Sequence, residues 1–489
     1  MRPARLSAVV AALAAAVWAL VGRGLVNYDT LYALVWGRDL AHGRKPDVNV
    51  ILAPTPHPLG TALGVLLSPL SSAADHGVHG GGSTSAVLVL AFVALAALGV
   101  LVYHLGTAWF DRWAGLLAAA IVLTRRPVLD FGARAYIDIP YVVLVLGALL
   151  VETRRPRAGL PVLGLLGVAG LIRPEAWLFA GAYVLYLLWA GERDPWRVAT
   201  YLLAAAAAPV IWLASDWIIA GDALHSLTGT RDNTRELGRV TGIAHVPTTA
   251  PRRIGEILRE PVLFGALGGL VFCWLWLRDR VRLALAAGIV ALLAFTVLAT
   301  AGLPILGRYL LLPSMIGALL CGAGVFGWRR LAPDDPHRRI WQAFGAVTIA
   351  LLLAFTPSQV HRISALRHAL ARQDLIQGDL ERLIRIPPGI VSRRCTPIGA
   401  PNHRPVPLLA LWLNLEPQAI VSTQDGGRQR RGTYLQPSTP AVARDYVLDP
   451  RDRRQAVAPA PAGVRQVAGN RSWLVFERCS PSMLIHGGE

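Results

Sequence analysis

Apolar runs long enough to cross a bilayer recur along most of this chain, and arginine crowds the short segments between them. A helix needs roughly 20 residues to traverse a hydrocarbon core. The first run, Leu6–Val26, is long enough. Two arginines precede it, as in a signal peptide, but Arg23 and then Asn27, Tyr28 and Asp29 follow instead of a small-x-small cleavage site. It is therefore read as an uncleaved first helix with its N-terminus inside. Ten further runs follow: Ala86–His104, Trp113–Leu129, Ile139–Val151, Leu160–Ile172, Ala176–Leu188, Val198–Ile219, Val262–Leu277, Val281–Thr300, Leu306–Phe326 and Ile340–Phe355. The expectation is a polytopic α-helical membrane protein of the cytoplasmic membrane with about 11 spans, an odd count that leaves the C-terminus outside. The segments 152–157, 192–197, 278–282 and 328–339 all fall inside on this count, and all are rich in arginine, as the positive-inside bias requires.

A hydrophobic fraction of 54% and a mean hydropathy of +0.46 exceed what a soluble core uses. In a soluble chain the net charge of +18 would suggest nucleic acid as a partner; here loop arginines account for it, and no nucleic acid is expected. Lys45 is the single lysine, a bias read as genomic base composition.

Two domains are expected: a transmembrane core, 1–357, and a small extracytoplasmic α/β domain, 358–489. The outer loop 27–85 of the core contains an apolar stretch, Leu59–Leu70, too short to span and read as an interfacial helix. In the tail, Gln418–Ser422 and Ser472–Phe476 look like strands, and Gln359–Leu383 like an amphipathic helix. Of four cysteines, Cys273 and Cys321 lie in apolar segments; Cys395 and Cys479 lie in the tail and are a candidate disulfide in a compartment that permits one.

Ionisable groups at the membrane boundary are costly unless paired or used. Asp29 follows the first span and Asp138 opens the fourth, both on the outer side. The competing local reading makes Asp29 the N-cap of a helix Thr30–Ala41, and Asp138 a cap with Pro140 in the first turn. His57 enters the interfacial helix through Pro56, His57, Pro58 and Leu59. Arg308 and Tyr309 stand at the outer end of the tenth span, where a guanidinium can grip a lipid phosphate. Arg173 and Glu175, around Pro174, either contact substrate or form an ion pair at a tight helical hairpin.

Taken in order, Asp29, His57-Pro58-Leu59, Asp138-Ile139-Pro140 and Arg308-Tyr309-Leu310 resemble the motifs of GT-C fold membrane glycosyltransferases, in the protein mannosyltransferase and aminoarabinose transferase branch (families 39 and 83). Residues 102–106 and 114–119 resemble that group's junction of second and third helices. Histidine stands at 57 where the group has lysine. The resemblance implies transfer of a hexose or pentose from a polyprenyl-phosphate sugar donor to a hydroxyl of a glycan, lipid or protein acceptor, with inversion, at the outer face of the membrane. The lack of a DxD motif fits a lipid-linked donor. Asp29 is then the expected general base and Asp138 its assistant or an acceptor-orienting group, while Arg308, Tyr309 and His57 face the phosphate. A divalent cation stays open as a cofactor, since two carboxylates from distant segments do not define a metal site. A transporter or flippase of lipid-linked intermediates is the rival reading; it would show two related halves and mid-membrane polar residues.

Overall fold

The computed structural model describes residues 3–72, 81–385, 391, 395–422, 432–449, 457, 459–460 and 462–478. Among them, five helices are long and apolar enough to cross a membrane, or up to eight spans if each bent helix pair counts as one. The protein is a multi-pass membrane protein. Several runs expected to span form short helices instead: Arg112–Thr124 has 13 residues, Leu160–Gly170 has 11 and Glu175–Trp189 has 15. Their length alone does not carry them across about 30 Å of hydrocarbon. Two of the bent pairs turn through 111° and 110°, each at a non-glycine residue in left-handed backbone, Ala135 (φ 52°) and Arg259 (φ 71°).

The chain divides into two compact units, Met1–Gly22 with Val89–Ala214 and Val240–Arg367, and Arg23–Leu88 with Ser215–Arg239 and His368–Glu489. In the first, the helix Leu311–Phe326 is buried along nearly its whole length, packed by Arg112–Thr124, Glu260–Trp276 and His337–Ala354. Small residues make this possible. A Cβ on Gly269 would run into the backbone carbonyl of Leu320, one on Gly324 into that of Gly265, and one on Gly322 into that of Ala114. Lipid offers no hydrophobic drive between helices, so close backbone approach with its dispersion contacts holds such a bundle.

In the second unit the helix Tyr28–Ala41 lies against Pro58–Ser72, again through glycines, Gly37 and Gly64. Asn27, not Asp29, caps the first of these: its side chain accepts from the backbone N–H of Asp29 and Thr30. The tail forms a small sheet domain, as expected. Its five strands, β1 (Ile398–Ala400), β2 (Ile420–Ser422), β3 (Gly432–Pro437), β4 (Arg465–Gly469) and β5 (Trp473–Arg478), make one sheet ordered β2-β1-β3-β5-β4. β1 is parallel to β2 and β3, while β5 is antiparallel to β3 and β4. The helix Thr356–Arg385 covers the expected amphipathic segment, and its end meets the sheet where the Trp473 indole donates to the carbonyl of Ile376 (2.9 Å).

A wholly buried helix, Val406–Leu413, packs on Tyr28–Ala41. The pair is tied by Arg38, whose Nη1 donates to the Ala410 carbonyl at 2.8 Å and Nη2 to the Leu415 carbonyl at 3.0 Å. Asp39 neutralises that buried guanidinium at 2.8 Å and also receives Arg44 at 2.8 Å. Cys395 is disulfide-bonded, and Cys273 and Cys321 are free buried thiols; Cys479 lies outside the described residues.

Among the helices with no counterpart in the sequence reading are His225–Glu236 and Val246–Leu258. The first has the sequence HSLTGTRDNTRE and buries only Thr234, so it offers no apolar stripe to read. The second holds Pro247 and Pro251, which argue against a helix unless they fall in its first turns.

Candidate active site

Within the first unit, three chain reversals bring charge together. Asp138 is the first residue of the helix Asp138–Arg154, following the 111° bend, and Glu175 is the first of Glu175–Trp189. A carboxylate at a helix start is favoured by the exposed N–H groups there. Neither residue acts as an N-cap: Ile137 and Pro174 hold those positions, and the side chain of Asp138 is spent elsewhere. Arg308 and Tyr309 sit in the 3₁₀ turn Gly307–Leu310 that leads into Leu311–Phe326.

Arg173 is the centre. Its Nη1 donates to Asp138 Oδ1 at 2.7 Å, and its Nε and Nη2 donate to Glu175 Oε1 at 3.0 and 2.9 Å. All three residues are buried, with Asp138 only 1% exposed. The Arg173 guanidinium also lies 4.1 Å from the centre of the Tyr309 ring, a cation–π contact in a dry setting. Arg308 approaches Asp138 from another side, Nε to Oδ2 at 3.9 Å, with its guanidinium 5.1 Å from the Tyr136 ring.

Two carboxylate oxygens in this cluster, Asp138 Oδ2 and Glu175 Oε2, are buried and accept no hydrogen bond among the described residues. Asp138 Oδ2 instead faces the Arg308 guanidinium at ion-pair distance, 3.9 Å. Asp138, Arg173, Glu175, Arg308 and Tyr309, all candidates on sequence grounds, thus share one site. Tyr136 joins them and is absent from the sequence candidates. The available signal is its place two residues before Asp138, in a turn between helices where an interfacial aromatic is common.

Asp29 and His57 belong to the second unit. Asp29 is half-buried in the first turn of Tyr28–Ala41. Its neighbour Tyr28 donates from its hydroxyl to the Leu52 carbonyl at 3.0 Å and packs edge-on to His403. Burial, and then Tyr32, hold the Tyr28 phenol well above its ordinary pKa, so it remains a proton donor. His57 precedes Pro58–Ser72, half-buried, its carbonyl accepting from the N–H of Thr61 at 2.9 Å. Among the described residues, no group of three or more His, Cys, Asp or Glu side chains is placed to hold a metal ion.

Residues 77–219, which include Asp138, Arg173 and Glu175, match the family described as dolichyl-phosphate-mannose-protein mannosyltransferase. The fold is that of ArnT from Cupriavidus metallidurans: its crystal structure bound to undecaprenyl phosphate superposes with a TM-score of 0.56 at 15% identity, covering 96% of this chain and 97% of that one. The apo crystal structure of the same protein gives 0.52 at 15% identity with the same coverage. No curated protein sequence matches the chain. In fold, and over the matched segment in sequence, the chain resembles the GT-C glycosyltransferases of the protein mannosyltransferase and aminoarabinose transferase branch.

Proposed function

We propose that the protein is an integral membrane glycosyltransferase that moves a sugar from a polyprenyl-phosphate carrier to an acceptor hydroxyl at the outer face of the cytoplasmic membrane. The observation that carries this reading is the buried Asp138, Arg173 and Glu175 cluster beside Arg308, in a fold shared with a protein crystallised with undecaprenyl phosphate.

The chemistry follows from charge. As the acceptor oxygen attacks the anomeric carbon, its proton must leave, and the bond from that carbon to the phosphate oxygen breaks with charge building on the polyprenyl phosphate. Asp29 takes the proton as general base. Arg308, its side chain 16% exposed and facing Tyr136 and Tyr309, meets the phosphate, and His57 adds a donor. Asp138 is already committed to Arg173 and is nearly excluded from solvent, which suits a positioning residue better than a base. Asp138 and Glu175 fix Arg173, and the second Asp138 oxygen orients Arg308. On this reading the N-terminus is cytoplasmic and the sheet domain extracytoplasmic.

The test is transfer of radiolabelled sugar from membrane polyprenyl-phosphate donors into envelope material, wild type against Asp29→Asn at matched expression. Transfer by the wild type that drops at least a hundredfold in the variant supports the mechanism. Equal transfer in both removes Asp29 from it, and a wild type that moves labelled lipid across vesicles without forming a glycosidic bond is a flippase.

A further inference from the structure

A cavity of about 370 Å³ opens in the second unit between residues 48–56 and the helix His225–Glu236, which the sequence does not announce. Small-molecule pockets typically span roughly 300–1,000 Å³, and this one lies near the lower end. Hydroxyls and two amides line it, among them Thr55, Thr230, Asn49 and Asn233, and its carboxylates are Asp232 and Glu236. In a chain with 48 lysines and arginines, none stands in this wall among the described residues, and His225 is its one basic side chain. Arg235, outside the wall, pairs with Asp232 at 3.0 Å, so a phosphate group would meet one neutralised carboxylate and Glu236, with no guanidinium in the wall itself. A neutral polyol meets paired donors and acceptors instead.

The wall is fixed to the residue beside the proposed base. Asn233 Nδ2 donates to the Ala53 carbonyl at 2.6 Å, and the hydroxyls of Thr55 and Thr230 share a hydrogen at 2.5 Å. Between them and Tyr28 lies Leu52, buried and in left-handed backbone (φ 61°). That conformation costs a residue with a Cβ about 1–2 kcal/mol. The Tyr28 hydroxyl holds the Leu52 carbonyl at 3.0 Å, and Asp29 is the next residue. This loop therefore runs from the neighbourhood of Asp29 along the cavity and ends at His57.

We infer that this cleft is the subsite for a neutral glycan portion of the acceptor, holding its sugar rings so that one hydroxyl reaches Asp29. The assignment rests on the glycosyltransferase reading for its purpose, but not for its ligand chemistry. Gly229 gives a clean probe. It lines the cleft from the helix, and a Cβ there would meet only the His225 ring, at 3.9 Å. Gly229→Trp then brings an indole to the cleft wall from a Cβ that is clear of backbone, and Gly229→Ala is the control.

The experiment uses the full chain purified in detergent. Saturation-transfer NMR measures binding of neutral methyl trisaccharides and of their phosphorylated and amino-substituted counterparts, alongside sugar transfer and binding of labelled polyprenyl phosphate. The expected result is saturable binding of neutral trisaccharides, at least tenfold weaker for phosphorylated ones, abolished by Gly229→Trp and kept by Gly229→Ala. Transfer should fall at least tenfold in Gly229→Trp while polyprenyl-phosphate binding stays within twofold. Neutral glycan binding that Gly229→Trp abolishes, with no transfer by the wild type, would keep the glycan site and discard the glycosyltransferase reading. Normal transfer by Gly229→Trp, a parallel loss of polyprenyl-phosphate binding, or binding only of charged fragments would overturn the subsite.

Discussion

Arg173 reaches Asp138 across 35 residues of sequence at 2.7 Å, while the other oxygen of the same carboxylate stands 3.9 Å from Arg308. One buried carboxylate thereby sets the position of two guanidinium groups in different surroundings. Arg173 is enclosed and neutralised twice; Arg308 remains partly open to solvent.

Removing the enclosed partner should therefore act on the fold. Arg173→Ala leaves two buried carboxylates without that counter-charge, and the expected loss is about 3–5 kcal/mol of stability. Thermal unfolding in detergent measures it. The double variant Asp138→Asn with Arg173→Gln should recover part of that loss, because Glu175 is then the one charge left of the three; additive losses would show that the two residues do not interact.

Removing the open partner should act on chemistry. Arg308→Lys keeps the charge but loses the planar fork and its stacking on Tyr136. Sugar transfer is expected to fall about a hundredfold, in the range for loss of one group that stabilises developing charge, with the melting temperature unchanged within about 2 °C. A melting shift as large as that of Arg173→Ala would make Arg308 a structural residue.

The glycine contacts predict a different failure. Gly269→Val places a branched side chain against the Leu320 carbonyl, where even a Cβ has no room. The helices Glu260–Trp276 and Leu311–Phe326 must separate, at a cost of about 3 kcal/mol or more. The readout is the yield of monodisperse protein. Gly164, beside which a Cβ meets nothing within 4 Å, should tolerate alanine with unchanged yield.

Asp47 supplies a pH dependence. Burial is the main cause that raises its pKa, with Glu416 and Asp39 adding to it. The carboxyl then binds its proton more tightly folded than unfolded. Its contribution favours the fold below the ordinary carboxylate range and is lost as pH climbs through the raised value. Asp47→Asn should raise the melting temperature at pH 7 by about 1 °C and leave it unchanged near pH 3.5, as expected for a partly exposed site.

The sequence is most informative where one physical rule dominates. The multi-pass character follows from apolar length, though not the number of spans, and Asp138, Arg173, Glu175 and Arg308 stand out as candidates because charges near a membrane boundary must pair or be used. The ion pair of Arg173 with Glu175 is legible from their spacing around Pro174, but the links of Asp138 to Arg173 and Arg308 are not, since these residues lie far apart in the chain and only the packing of their helices joins them. The helix His225–Glu236 is invisible for the opposite reason: it is polar on nearly every face, and contacts such as that of Asn233 with Ala53, not a hydrophobic stripe, hold it in place. The caps differ from expectation because one local rule yields to another. Asn27 outcompetes Asp29, and the pairing of Asp138 with Arg173 takes its side chain away from the backbone.

The grip of Arg38 on Ala410 spans 372 residues. At a ribosomal pace of about 5–20 residues per second, roughly 20–75 s separate the synthesis of these two partners. Throughout that interval the helix bearing Asp29 waits for the two carbonyls that will hold its guanidinium, and it becomes complete only when the late part of the chain arrives. Translation itself then acts as a timer: a prematurely terminated copy can insert its first helices yet never assemble the segment that carries the proposed base.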